Sequence, residues 1–124
     1  MKTNISTLDK LLLIKAAKDK QAKEPIVYKI AGTEEQIVIN KPDPEEIILT
    51  MNSVPKDAPI MDLWDELIYL AMPELHERET LERFNCLENP VGIVKQIFSA
   101  GDRAEIGVRI RDIVNEVTIE EIKN

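Results

Sequence analysis

The chain has one Cys, one His and four Gly in 124 residues, and aromatic side chains make up only 4% of it. Each scarcity excludes something. A single cysteine, Cys86, cannot close an internal disulfide, and it fits a reducing compartment. One His and one Cys cannot supply the nitrogen and sulfur ligands of a zinc site. The four glycines fall in neither a G-x-G-x-x-G nor a Walker arrangement, so no phosphate-cradling loop is legible. G-x-S-x-G and H-E-x-x-H are absent too, and no internal repeat recurs at a fixed period. Few aromatics disfavour base-stacking nucleic-acid modules. No apolar run approaches the roughly 20 residues of a membrane span. The longest strongly apolar block, Leu11-Leu12-Leu13-Ile14, is too short and too closely flanked by lysine for a secretory signal.

What is present is ordinary for one soluble domain spanning residues 1–124: 44% hydrophobic and 31% charged residues, enough for a single modest core. The net charge of −7 is unevenly placed. Residues 1–24 carry six Lys against Asp9, Asp19 and Glu24, whereas the remainder carries ten basic against twenty acidic side chains. An acidic body argues against nucleic acid as partner, because neutralising phosphate needs a dense basic face.

Apolar spacing predicts a mostly helical α+β fold, with an N-terminal β-hairpin over residues 25–40 packed on a C-terminal helical bundle. Ser6 or Thr7 can cap a first helix through Leu8, Leu11, Leu12 and Ile14, fading into a frayed linker after Lys18. Its leucines are expected to dock on the body, since terminal segments stay ordered only when tied down. The same Leu8, Leu11 and Leu12 are the candidate partner-contact residues, anchors at helical spacing.

Two β-branched runs follow, Pro25–Ile30 and Gln36–Asn40, separated by a five-residue loop containing Gly32. Ile26, Tyr28 and Ile30 should share one face, and Ile37 and Ile39 the matching face of the partner strand. An unpaired edge there could accept a strand from another chain. Asp43-Pro44-Glu45-Glu46 reads as a capping box opening a helix with Ile47, Ile48 and Met51. Ile60–Met72 is a strong helix with Leu63, Trp64, Leu67, Ile68 and Ala71 on its inner face, ended by Pro73. Its Asp62, Asp65 and Glu66 are read as complements to the helix dipole rather than a carboxylate pair for catalysis. Trp64, Tyr69 and Met72 are assigned to core or boundary.

A short helix is expected over Glu74–Phe84, ended by Asn85 in the left-handed region. His76 and Cys86 would lie at its opposite ends, with no orienting group to make them a nucleophile pair. Asn89–Val114 is the stretch on which the chain leans. Asn89 and Pro90 start one helix, with Val91, Val94, Ile97 and Phe98 inward. Gly101 is expected to stop it, and Asp102 to cap the next. That last helix should turn Ile106, Ile110, Ile113 and Val114 inward and leave Arg103, Glu105, Arg109, Arg111 and Asp112 wet. Thr118–Glu121 suggests a final capped turn.

The ordered segments Trp64–Tyr69, Met72–Leu75, Asn89-Pro90 with Ile93-Val94 and Ile97-Phe98, and Gly101-Asp102 with Ile106 and Ile110 resemble those of the XkdN-like tail assembly chaperones of Gram-positive phages and prophage elements. In that family an I-Y-x-x-x-P-x-L segment precedes an Asp/Asn-Pro helix, and a Gly-Glu or Gly-Asp step opens the final helix. The chain departs at Gly92, where bulkier or acidic residues are usual. The resemblance implies a non-catalytic protein of the bacterial host cytoplasm, without cofactor or metal. It would coat the long helical tape-measure protein, assist polymerisation of the tail tube protein, and be missing from the mature virion. It also implies a longer frameshifted form of the chain itself, and Ile122-Lys123-Asn124 is compatible with a slippery heptanucleotide. Two other classes compete. One is a structural tail-completion or head–tail connector protein. The other is a small enzyme or metal protein, which would need His76, Cys86 or the Asp62/Asp65/Glu66 group to converge in a cleft.

Overall fold

A computed structural model describes residues 6–23 and 25–115. The expected final turn at Thr118–Glu121 lies outside the described residues. The order is helix α1 (Thr7–Lys23), strands β1 (Ile26–Lys29) and β2 (Gln36–Ile39), then helices α2 (Pro44–Ser53), α3 (Ile60–Ala71), α4 (Arg78–Arg83), α5 (Gly92–Ile97) and α6 (Ala100–Asp112). A 3₁₀ turn, Pro73–His76, separates α3 from α4, and another, Ile113–Asn115, follows α6. The molecule is a mostly helical α+β fold, as the sequence pattern predicts.

The hairpin is antiparallel, pairing Ile26 with Ile39, Val27 with Val38 and Tyr28 with Ile37. Alternation sends Ile26, Tyr28 and Ile39 into the core and leaves Val27 and Val38 outside, where they sit directly opposite one another. Gly32 supplies the positive φ (79°) of the connecting turn. In α2, Asp43 caps the amide of Glu45 at 2.9 Å, with Pro44 in the first turn. The partner is one residue earlier than a capping box calls for. Ile47 is fully buried, Met51 is partly so, and Ile48 faces out.

The core is built on α3 crossing α6. Leu67, Ile68 and Trp64 meet Ile106, Ile110 and Ile113, with Ile93 and Val94 of α5 closing one side. A carbon added at Gly107 would lie 2.6 Å from Trp64 Cβ, so the two helices approach closely at that point. The expected helix over Glu74–Phe84 is two pieces, because Glu77 adopts an extended conformation (ψ 133°) between the 3₁₀ turn and α4. Asn85 does take a left-handed φ of 56°. The amide of Cys86 bonds back to the Leu81 carbonyl at 2.8 Å and that of Asn85 to Glu82 at 3.1 Å, a Schellman ending.

The boundary between α5 and α6 lies elsewhere than the glycine suggests. A turn of i to i+3 bonds from Asn89, Pro90 and Val91 leads into α5, which ends when Phe98 turns extended. Ser99, not Asp102, caps α6, and Gly101 falls inside its first turn. Asp102 answers the cap: its amide donates to Ser99 Oγ at 3.2 Å while Ser99 Oγ donates to Asp102 Oδ2 at 3.0 Å. Ile97, assigned to the inner face, is 39% exposed. Arg103, expected in water, is buried.

The first helix also departs from expectation. It continues to Lys23, and its leucines do not dock. None of them joins the core, and among the described residues α1 makes at most incidental contact with other elements. A helix covered with leucine but carrying apolar groups on every side has no single face to lay against a body. Among the described residues, no helix is long and apolar enough to cross a membrane.

Candidate interaction surface

α1 begins where Ser6 Oγ accepts the Asp9 amide at 3.1 Å, a proper N-cap, with Asp9 favouring the positive end of the dipole. Lys15 and Asp19, four residues apart, meet at 2.6 Å on the solvated surface. At 100° per residue Leu8, Leu11 and Leu12 share one side. They are 64%, 55% and 54% exposed. Leu13 and Ile14, which the sequence reading did not count as contact residues, are 63% and 58% exposed and project from the opposite side. The signal was there, because four consecutive apolar residues cover the whole circumference of a helix. Five large aliphatic side chains together in water are the unusual feature of this protein; single exposed leucines would mean little.

The polar residues singled out for chemistry are dispersed. His76 stacks on Tyr69 with ring centroids 4.2 Å apart, and its Nε2 lies 2.6 Å from the Tyr69 carbonyl oxygen. Cys86 is buried; its thiol donates to the Phe84 carbonyl at 3.3 Å and accepts from Gln96 Nε2 at 3.0 Å. Each has its own partners, and the two do not pair. Of the acidic trio, Asp65 separates from the other two. Asp65 is buried and takes two parallel bonds from Arg103, Nε at 2.7 Å and Nη2 at 2.6 Å, both side chains about 10% exposed. Asp65 therefore neither serves the dipole nor stands ready for proton transfer; it neutralises a buried guanidinium. That hydrogen-bonded carboxylate in turn holds the Arg103 pKa above its ordinary value.

Asp62 and Glu66 line a polar cleft of about 320 Å³ with Ser53, Val54, Pro55 and Asn89. Desolvation raises the Glu66 pKa, helped by the charges of Asp65 and Asp62. Among the described residues no group of three His, Cys, Asp or Glu could hold a metal ion.

A second polar cluster escaped the sequence reading. The Tyr28 hydroxyl lies 3.0 Å from Asp102 Oδ1 and 2.6 Å from Glu105 Oε2, joining the hairpin to the first turns of α6. Asp102 Oδ1 also takes the Ala31 amide at 3.4 Å, and the Arg109 guanidinium stands 5.9 Å from the Tyr28 ring centre. Burial, then the two carboxylates, pushes the Tyr28 pKa far above its usual value. No spacing rule links positions 28 and 102. The cluster anchors the hairpin and presents no free reactive atom.

One further surface matters. Ile48, Met51 and Asn52 of α2 face Arg111, Val114 and Asn115 across an apolar groove of about 230 Å³. Leu49, beside it, is 69% exposed. No family model, curated protein or solved structure matches the chain.

Proposed function

We propose that this protein is a non-catalytic tail assembly chaperone that binds a phage tape-measure protein and keeps it soluble while tail tube subunits polymerise around it. One observation carries the reading: helix α1 holds five large aliphatic side chains in water, and among the described residues none of them joins the core. An amphipathic rod is recognised by apolar anchors repeated at helical spacing, and Leu8, Leu11 and Leu12 form such a row. A tape-measure protein is a long, aggregation-prone helix until the tube encloses it. Many copies of a small acidic protein along it would mask its apolar stripe and add charge against clumping, each contributing modest affinity. The resemblance of segments 64–75 and 89–110 to the XkdN-like chaperones points the same way. His76, Cys86 and Asp65 each have a separate structural partner, which favours the binding reading over an enzymatic one.

Co-expression with the long helical product of the neighbouring downstream gene tests this. Soluble recovery of that product, co-purification of several copies per rod, and loss of both with Leu8→Asp/Leu11→Asp are expected. An insoluble partner, with this chain running as a closed ring and present in finished particles, would assign it instead to the structural proteins of the tail or head–tail connector.

A further inference from the structure

The tape-measure contact uses one side of α1 and leaves the other uncovered. Lys10, Leu13, Ile14 and Ala17 follow at i, i+3, i+4 and i+7, so they form a continuous stripe opposite Leu8, Leu11 and Leu12. All four are exposed. This stripe is apolar with a cation at its start.

The body carries a surface of the complementary kind. The groove between α2 and the end of α6 is lined by Ile48, Met51 and Val114, and Glu45, one turn before Ile48 on the same side of α2, is exposed. Arg111, the cation in its lining, is held by Asp112 at 3.1 Å and lies over the Trp64 ring, 5.5 Å from its centre. Charge is divided in the same sense. Residues 6–23 carry five Lys against two Asp, while residues 25–115 carry nine basic against seventeen acidic side chains. Two α1 helices would repel one another, and so would two bodies. A helix and a body attract.

From this we infer that the Lys10–Leu13–Ile14–Ala17 stripe of one copy seats in the α2–α6 groove of a second copy. Leu13 and Ile14 enter beside Ile48, Met51 and Val114, and Lys10 meets Glu45. The contact joins two different surfaces, so each copy keeps one free helix and one free groove, and the association is head to tail. It extends to rows of copies. The inference stands apart from the tape-measure reading, because it uses the other side of the helix.

Sedimentation of the full chain over the micromolar range, at low and high salt, tests it. Species larger than a monomer are expected, diminished by salt because the Lys10 contact is solvent-exposed. Leu13→Asp/Ile14→Asp and Ile48→Asp should each run as monomers. Mixing these two variants should restore a heterodimer and nothing larger, since one intact helix and one intact groove remain between them. Leu8→Asp/Leu11→Asp, which impairs the tape-measure contact, should assemble as the wild type does. Circular dichroism keeps the variants interpretable, and the α1 changes touch no core residue. A wild type that stays monomeric overturns the inference, whether its groove is filled by its own α1 or by its own residues 116–124. Assembly that survives both variants overturns it too, as does a mixture of the two that remains monomeric.

Discussion

Trp64 occupies the space that a side chain at position 107 would need: a carbon placed on Gly107 falls 2.6 Å from Trp64 Cβ and 2.8 Å from Cε3. The Cβ is fixed to the backbone of α3 and cannot swing aside. Gly107→Ala should therefore push α3 and α6 apart. Overpacking costs about 1–3 kcal/mol, partly offset by the better helix propensity of alanine, worth up to about 1 kcal/mol. The net expectation is a lower thermal midpoint. Gly101 is the internal control, with nothing within 4 Å of an added carbon, and Gly101→Ala should raise the midpoint modestly. Thermal melts of the two variants side by side check both signs.

Arg103 and Asp65 make a buried, two-pronged ion pair between α6 and α3. Removing one partner strands the other charge in the core. Asp65→Ala should cost about 3–5 kcal/mol, whereas replacing both, Asp65→Leu with Arg103→Met, should recover much of that loss. Urea unfolding of the singles and the double measures it. A double variant no better than the worse single would show that the pair does more than neutralise itself.

The Tyr28 phenol is held neutral by burial and by two carboxylates, so its pKa is raised in the folded chain. The folded state then keeps a proton that the unfolded chain releases above about pH 10. Its stabilisation is complete below that pH and declines as pH rises through the alkaline range. Tyr28→Phe should cost about 1.5–3 kcal/mol at neutral pH for lost bonds to charged acceptors, and should flatten the alkaline fall in stability. Urea midpoints compared from neutral to alkaline pH provide the check.

Glu66 titrates in the same sense as Tyr28 but in the carboxylate range, so at neutral pH its effect is already a penalty. Its pKa is raised mainly by desolvation, so the folded state disfavours the ionised form. The penalty is absent at low pH, where the carboxyl is protonated in both states, and appears as pH rises through the carboxylate range. Glu66→Gln should raise the thermal midpoint at neutral pH and leave it unchanged near pH 3. An equal gain at both pH values would assign the effect to packing.

Among the described residues, those of α1 contribute nothing to the core. Leu8→Asp/Leu11→Asp should consequently leave the thermal midpoint of the body unchanged, while abolishing recovery of a co-expressed tape-measure protein. A body that melts earlier would mean that α1 docks on it in solution.

Local chemistry was legible where a residue's own backbone preference decides the outcome. Asp43-Pro44 starts a helix because one group accepts an orphan amide and the other arrives with its φ preset. Asn85 ends α4 because it tolerates the left-handed region. Alternation in Ile26–Tyr28 and in Ile37–Ile39 named the inner face of the hairpin, and the 3.6-residue period named most of the inner faces of α3 and α6. Gly101 misled because glycine is equally at home inside a first turn when Ser99 supplies a better cap one residue before the helix.

Tertiary structure decided the rest, since it rests on contacts between residues far apart in the chain. A helical wheel sets Arg103 on the same stripe as Ile106 and Ile110 while its charge argues for water, and only the approach of Asp65 from α3, 38 positions earlier, makes its burial affordable. Tyr28 reads as a strand aromatic, and only the fold brings Asp102 and Glu105 to its hydroxyl. Gly107 reads as a weak point in a helix until Trp64 is laid against it. For α1 the sequence determined a helix with apolar groups on every side, but whether its leucines are covered depends on a surface that no periodicity describes, and among the described residues none is laid against them.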